Sequence, residues 1–414
     1  MNVKITPTSL SGIITAPPSK SYAHRLIISA FLSDNEVTIK NAGYSKDVLA
    51  TVNALNALGG NVSVNDDSVI IKKRTEINGE VVVDCNESGS TLRFLMPIAC
   101  ALGISAKFIG SERLMQRPIG ELANTLEQGG ATVIGHTVSG KLKAGRYEVD
   151  ASVSSQYITG LLFALTMLDG DSELVLKGNV VSRGYIDITL DVLSKFGISV
   201  KKTNSGYLVL GGQKFENLQQ IEVEGDYSGS AFMLALGAIG SPVSVKGLNP
   251  NSKQGDAKII EVLKLFGASV CYNDGLFTVK NQTLKAIELD CEDIPDLVQI
   301  ISVVASYANG VTVLKNVDRL RVKESDRIEA VISTLKNAGI SAYYNKSNLY
   351  ITGGNVVGGV FDGGNDHRTV MSATILSSYA KGSSIINGAE AYTKSYPEFY
   401  NDYKLLGGIV DVEI

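Results

Sequence analysis

Histidine is scarce in this chain of 414 residues, which contains only His24, His136 and His367. A metal centre or hydrolytic triad built on imidazole has little to draw on, although counting alone leaves a triad open. The four cysteines, Cys85, Cys100, Cys271 and Cys291, form neither a CxxC pair nor the framework of a small secreted domain. They are expected to be reduced, buried thiols in a cytosolic protein. Long apolar runs are missing as well. The longest, Ile158 to Leu168, falls well short of the ~20 residues that span a bilayer. The N-terminal MNVKITPTSL lacks a basic stretch followed by an apolar one, so no signal peptide is expected. Charge is sparse at 19%, with a net value of -4, so no overall field would hold nucleic acid or an anionic membrane. A soluble, cytoplasmic monomer without nucleic-acid or membrane partners is expected, and any bound anion must be caught by a local cluster of cations. There is no GxxxxGK[ST] phosphate loop, no GxGxxG turn and no HExxH or spaced Cys/His set, so no metal or cofactor is expected.

What is present is a globular composition, 44% hydrophobic, in a chain long enough for two or three domains. One pattern recurs along it: an apolar helical stretch, a glycine, then a short β-branched strand. It reads LNALGGNV at Gly59, LEQGGATV at Gly130, LSKFGISV at Gly197, LKLFGASV at Gly267 and LKNAGISA at Gly339, with a weaker KLLGGIV at Gly408. The successive spacings are 71, 67, 70, 72 and 69 residues. One copy would be ordinary α/β punctuation, but six at near-constant spacing mean one supersecondary unit used six times. Each glycine suits the left-handed residue that closes a helix. Ahead of it, Ile186, Leu190, Leu193 and Phe196, or Ile259, Val262, Leu263 and Phe266, fall at helical spacing. No linker rich in Pro, Gly or Ser shows how the six units divide.

Polar clusters are expected just before the apolar helices. PPSKSYAHR precedes LIISAFL, NESGSTLR precedes FLMPIACAL, SSQYITG leads into LLFAL and GDYSGS into AFMLALGAI; IPD, KESDR and NDHR open three further apolar runs. Ser, Asp and Asn there are ordinary helix caps. Lys and Arg are not, because a cation opposes the positive end of the helix dipole. Lys20, Arg25, Arg93, Lys323, Arg327 and Arg368 all sit near such a start. A shared bound anion would offset that cost.

PPSKSYAHR, SGSTLRFL, RLMQRPIGEL, SSQYITGLL, SRGYIDITLDVL, EGDYSGSAF, QGDAKIIEVLKLFGA, IPDL, RVKESDRIEA, NDHRTVMS and KSYPEFY occur in this order over nearly the whole chain. Together they resemble the signature of the 5-enolpyruvylshikimate-3-phosphate synthase family of enolpyruvyl transferases. RVKESDR with NDHR is the specific part; SGSTLR or EGD alone would be weak. The resemblance implies an α/β (α+β) fold of two similar domains, each made of three βαβαββ repeats in an inside-out α/β barrel. By analogy, residues 1–18 with 227–414 form the first domain and residues 19–226 the second, with the active site in the cleft between.

The resemblance also implies the reaction, in which the enolpyruvyl group of phosphoenolpyruvate passes to the 5-hydroxyl of shikimate 3-phosphate and phosphate leaves. Lys20, Ser21, Arg25, Ser154, Ser155, Gln156, Ser182, Tyr185, Asp296 and Lys323 are the implied contacts of shikimate 3-phosphate. Lys20, Gly89, Arg93, Arg117, Gln156, Arg327, Arg368 and Lys394 are those of phosphoenolpyruvate. Asp296, Glu324, Lys323 and Lys20 are the implied catalytic groups. Asp296 would take the hydroxyl proton and Glu324 would serve C3, a division the residues alone leave open. His367 would orient its neighbours. Two departures stand out: Asn86-Glu87-Ser88-Gly89 replaces the family's Gly-Asn-Ser/Ala-Gly, and Arg319 stands where some members have Asn. A sister enzyme that uses UDP-N-acetylglucosamine needs a reactive cysteine near RLMQRP, and none lies between Cys100 and Cys271. A repeat scaffold that only binds a protein partner would have no need for acids, bases and cations gathered at helix starts.

Overall fold

The computed structural model describes residues 1–413. The chain divides into two compact units: Met1–Pro17 with the residues from Glu224 onward, and Pro18–Val223. Pro18 and residues 224–226 lie on the other side of the divide from the family-based boundaries. The reasons are local. The side chain of Asp226 caps the helix that follows it, and its N–H bonds the carbonyl of Pro17 at 2.7 Å. Pro18 packs on Gly43, which lies with it in the second unit.

Each unit carries three four-stranded sheets of one pattern. In the middle copy of the second unit, Glu80–Asp84 runs parallel to Ser105–Ile109 across the helix Gly89–Leu102. After the helix Gly120–Gln128, the hairpin Thr132–Ile134 and Thr137–Ser139 adds two antiparallel strands. This is the βαβαββ repeat, and its length sets the spacing of about 70 residues seen in the sequence.

Three copies borrow a strand from far along the chain. Gln220–Glu222 pairs in parallel with Val37–Lys40 and completes the first sheet of the second unit. In the first unit, Gly12–Thr15 pairs with Val243–Lys246, and Asn2–Thr6 lies between Ser384–Asn387 and Ile409–Glu413.

The two helices of a repeat differ in kind. The first is buried nearly all round, as in Lys20–Ser33, Gly89–Leu102, Ser155–Leu165, Tyr227–Ile239, Val298–Ser306 and His367–Ser377. The second is amphipathic; in Ile259–Phe266 only Ile259, Val262, Leu263 and Phe266 are buried. A helix buried on every face needs apolar residues on every face, so these segments read as continuous apolar runs. None of the described helices is long and apolar enough to cross a membrane.

Gly59, Gly130, Gly197, Gly267 and Gly339 all adopt positive φ after their helices, as expected. In the last copy that residue is Gly407 (φ 96°), not Gly408. The ring of Tyr403 lies where a Cβ on Gly408 would go, so Gly408 is required for space. Cys85, Cys100 and Cys291 are buried, but Cys271 is exposed. It sits on the strand Ser269–Asn273, whose residues from Cys271 onward face outward.

Candidate functional site

The helices begin inside the polar clusters, not after them. Lys20, Gly89, Ser155 and Arg327 are first residues of their helices, and Arg368 is second. Arg25 and Arg93 lie a turn further in, buried at 2% and 3% exposure. Caps account for several polar residues: Ser88, Ser154, Asp226, Asp326 and Asp366 each accept backbone N–H bonds from the first turn.

In the second unit, Arg25 is held from all sides. It donates from Nε to Thr189 (2.8 Å), from Nη1 to the Ser21 carbonyl (2.7 Å), and from Nη2 to Thr159 (3.3 Å) and the Tyr185 carbonyl (3.0 Å). Its guanidinium also lies over Phe94. Burial pulls its pKa down to about 10. Lys20 pairs with Asp47 at 2.6 Å. His24 is buried near Lys20 and Arg25, its pKa pushed well below the usual 6.5 by burial and then by those two cations. A buried hydroxyl chain continues from His24 Nδ1 through Thr51 and Thr91 to Ser88, with links of 2.7, 2.6 and 2.7 Å. Ser182 stands before the helix Arg183–Lys195 in a left-handed conformation (φ 53°).

A second group surrounds Gly89. A Cβ there would lie 2.7 Å from Nη1 of Arg93 and 2.9 Å from Nη1 of Arg117, so both guanidinium groups close over bare backbone. Gln156 accepts from Arg93 Nη1 at 2.8 Å and donates to Ser90 at 3.0 Å. What sets this register is Gly160, where a Cβ would collide with the backbone carbonyl of Arg93. The missing side chain lets the helix Ser155–Leu165 press against Gly89–Leu102.

In the first unit, Arg327 is the hub. It meets Asp296 (2.8 Å), Glu324 (2.8 Å) and Asp366 (2.7 Å), with 1% of its surface exposed. Burial alone would depress its pKa, but Asp366, Glu324 and Asp296 outweigh that and hold it above the usual value. Asp366 likewise sits below the usual carboxyl value, because Arg327 overcomes the upward push of burial. Asp366 also caps the helix His367–Ser377, tying the starts of two helices together. Asp296 is further approached by Lys323 and Arg368, each at 3.4 Å. Burial lowers the pKa of Lys323, and nearby Asp296 partly restores it. Lys394 donates to the Asn365 carbonyl at 2.6 Å. His367 is buried beside Asp366, whose carboxyl it helps keep ionised. Arg319 is close enough to Lys323 to disfavour its charge.

Arg327, and more loosely Lys323 and Arg368, are therefore offset by the protein's own carboxylates. The sequence argument that helix-start cations imply a bound anion does not hold for Arg327. Sequence reading also passed over Asp47 and Asp366, although SKD and NDHR contain them.

A family model for EPSP synthase (3-phosphoshikimate 1-carboxyvinyltransferase) matches residues 5–403. The chain belongs to the EPSP synthase family. A 3-phosphoshikimate 1-carboxyvinyltransferase of Clostridium acetobutylicum is 39% identical, over 99% of this chain and 98% of its own. The enzyme of that name from Clostridium novyi is 37% identical, with 99% and 98% covered. Among solved structures, the EPSP synthase of Acinetobacter baumannii superposes with a TM-score of 0.85 at 25% identity, covering all of both chains. The enolpyruvyl transferase NikO of Streptomyces tendae shares the fold, with a TM-score of 0.79 at 13% identity over 99% of this chain and 98% of its own. The two-domain, six-repeat α/β architecture of the EPSP synthase family is the one described above.

Proposed function

We propose that this chain transfers the enolpyruvyl group of phosphoenolpyruvate to the 5-hydroxyl of shikimate 3-phosphate and releases phosphate, working as a cytoplasmic monomer. The observation that carries this reading is the junction of Asp296, Glu324, Lys323, Arg327 and Arg368, where carboxylates able to move protons sit against cations able to hold a phosphate and a carboxylate. Family membership gives the reaction its substrates.

The reaction is an addition followed by an elimination. The 5-hydroxyl attacks C2 of phosphoenolpyruvate while C3 gains a proton. The tetrahedral adduct then loses a proton from C3 and expels phosphate. Asp296 takes the hydroxyl proton, which goes on to the departing phosphate, and Glu324 in its acid form delivers the proton at C3 and later takes one back. Three cations, Lys323, Arg327 and Arg368, lie within 3.4 Å of the Asp296 carboxyl oxygens. Substrate phosphate and carboxylate compete for Arg368 and Lys323, and each cation drawn away makes Asp296 a stronger base.

Lys20, Arg93, Arg117, Gln156, Arg327, Arg368 and Lys394 grip phosphoenolpyruvate, with Gly89 admitting it to the backbone. Ser21, Arg25, Ser154, Ser155, Gln156, Ser182 and Tyr185 grip shikimate 3-phosphate together with Lys20, Asp296 and Lys323. Arg25 commits four of its five N–H donors to the protein and keeps one for the phosphate. Its larger part is a fixed charge, with serine hydroxyls and helix N–H groups supplying the directed bonds.

The test is a phosphate-release assay on purified protein. Phosphate should appear only when both substrates are present, with no added metal or nucleotide. Equal turnover with UDP-N-acetylglucosamine as acceptor would overturn the assignment.

A further inference from the structure

Asp256 has no place in the account above, yet it is one of the few buried carboxylates in the first unit, with 5% exposure. It lies on the single 3-10 turn Gly255–Lys258, directly ahead of the helix Ile259–Phe266. Ser228, second residue of the buried helix Tyr227–Ile239, donates its hydroxyl to Asp256 Oδ2 at 2.5 Å. The same hydroxyl oxygen accepts from Arg368 Nη2 at 2.6 Å. Arg368 then reaches Asp296 twice, donating from Nη1 to its carbonyl at 2.9 Å and placing Nη2 3.4 Å from its Oδ2. A chain of three links therefore runs from Asp256 through Ser228 and Arg368 to Asp296.

The direction of that chain matters. A serine hydroxyl has one proton and two lone pairs. With a carboxylate on one side the proton is committed there, so the oxygen always presents a lone pair to Arg368. Without the carboxylate the hydroxyl rotates, and Arg368 loses an acceptor of fixed polarity. Its attraction to Asp296 persists, and full pairing there would block both groups. We propose that Asp256 is a positioning residue that acts through Ser228 to fix the Arg368 guanidinium for phosphoenolpyruvate, holding it short of a full ion pair with Asp296. This rests on the functional reading above. Burial pushes the Asp256 carboxyl up to about 6; Asp296 and Asp226 add to the rise, while Arg368 and the Ser228 bond oppose it.

The test compares Asp256→Ala, Asp256→Asn, Ser228→Ala and the double variant Asp256→Ala/Ser228→Ala. Steady-state kinetics and calorimetric binding of phosphoenolpyruvate are measured on each, with thermal melts to confirm folding. Asp256→Ala and Ser228→Ala should each raise KM and Kd for phosphoenolpyruvate about tenfold, the cost of a charge-assisted hydrogen bond. KM for shikimate 3-phosphate should move by less than about twofold, since a fixed Arg368 serves the other substrate. Because both residues act along one chain, the double variant should be no worse than the weaker single variant. Asp256→Asn keeps an oxygen that can accept from Ser228, so it should return most of the lost affinity. If Asp256→Ala fails to fold, Ser228→Ala and Asp256→Asn carry the comparison. Unchanged phosphoenolpyruvate affinity in folded variants, equal losses for both substrates, or multiplied losses in the double variant would each overturn the proposal. Wild-type protein that releases no phosphate overturns the functional reading instead, while the calorimetric Kd values still judge Asp256.

Discussion

Arg25 and Arg327 are both buried arginines near a helix start, one in each unit, yet they are settled by opposite means. Arg25 spends its donors on hydroxyl and carbonyl oxygens, and burial pulls its pKa down. Arg327 is enclosed by three carboxylates, and its pKa is held up. The same repeat thus yields two electrostatic designs. Around Arg25 a positive charge is braced by neutral dipoles, which makes a site hungry for an anion. Around Arg327 the charges already balance, and the balance is made of groups that can exchange protons. The difference separates a buried charge braced only by dipoles from one that the protein's own carboxylates have already balanced.

The hardest test of that division falls on the carboxylates. Asp296→Asn and Glu324→Gln keep the shape and remove the ionisable group, so kcat should drop by at least ~10²-fold while substrate binding largely survives. Near-native kcat in either variant would remove that residue from the proton-transfer pair. On the gripping side, Lys20→Met should weaken phosphoenolpyruvate binding by about 10- to 100-fold, the worth of a charge-assisted contact, with little change in Tm. A large fall in Tm with intact binding would make the Lys20–Asp47 pair a structural brace.

Two glycines sharpen the contrast between grip and scaffold within the second unit. Gly89→Ala pushes only against the tips of Arg93 and Arg117, so it should raise KM for phosphoenolpyruvate and leave Tm nearly unchanged. Gly160→Ala drives a methyl group into the Arg93 backbone and should cost about 1–3 kcal/mol of stability, measured by denaturant unfolding. Reversed outcomes would mean the helix contact is the adaptable one.

The smallest effect concerns His24. Its pKa is lowered in the folded state, so it stays neutral while the unfolded chain takes up a proton near pH 6.5. Stability is then lost as the pH falls through that value. His24→Gln should flatten the fall in Tm between about pH 7 and 5, and parallel slopes for the two proteins would show that His24 does not contribute it.

The six-fold period was legible because each repeat ends its second helix with a glycine that the backbone requires, as at Gly197 and Gly267. The borrowed strands were not, since Gln220–Glu222 looks like any short strand until it pairs with Val37–Lys40. At the candidate site, the motifs named the residues with the chemistry but not the partners that hold them. Arg327 finds Asp366 across 39 positions, and Arg368 finds Ser228 across 140. Such pairings are set by how buried helices pack, which local pattern does not encode. The caps illustrate the same limit: Asp366 reads as an ordinary helix cap, and it is one, but it also anchors Arg327.

The borrowed strands impose an order on the chain's birth. Every strand of the second unit has been made once synthesis passes residue 222, so that unit can close while the ribosome is still working. The first unit cannot. Its opening strand, Asn2–Thr6, must wait for Ile409–Glu413, which at ~5–20 residues per second is roughly 20–80 s of translation. For about the second half of that interval the nascent chain carries a strand without its final partner, tethered to a finished neighbour.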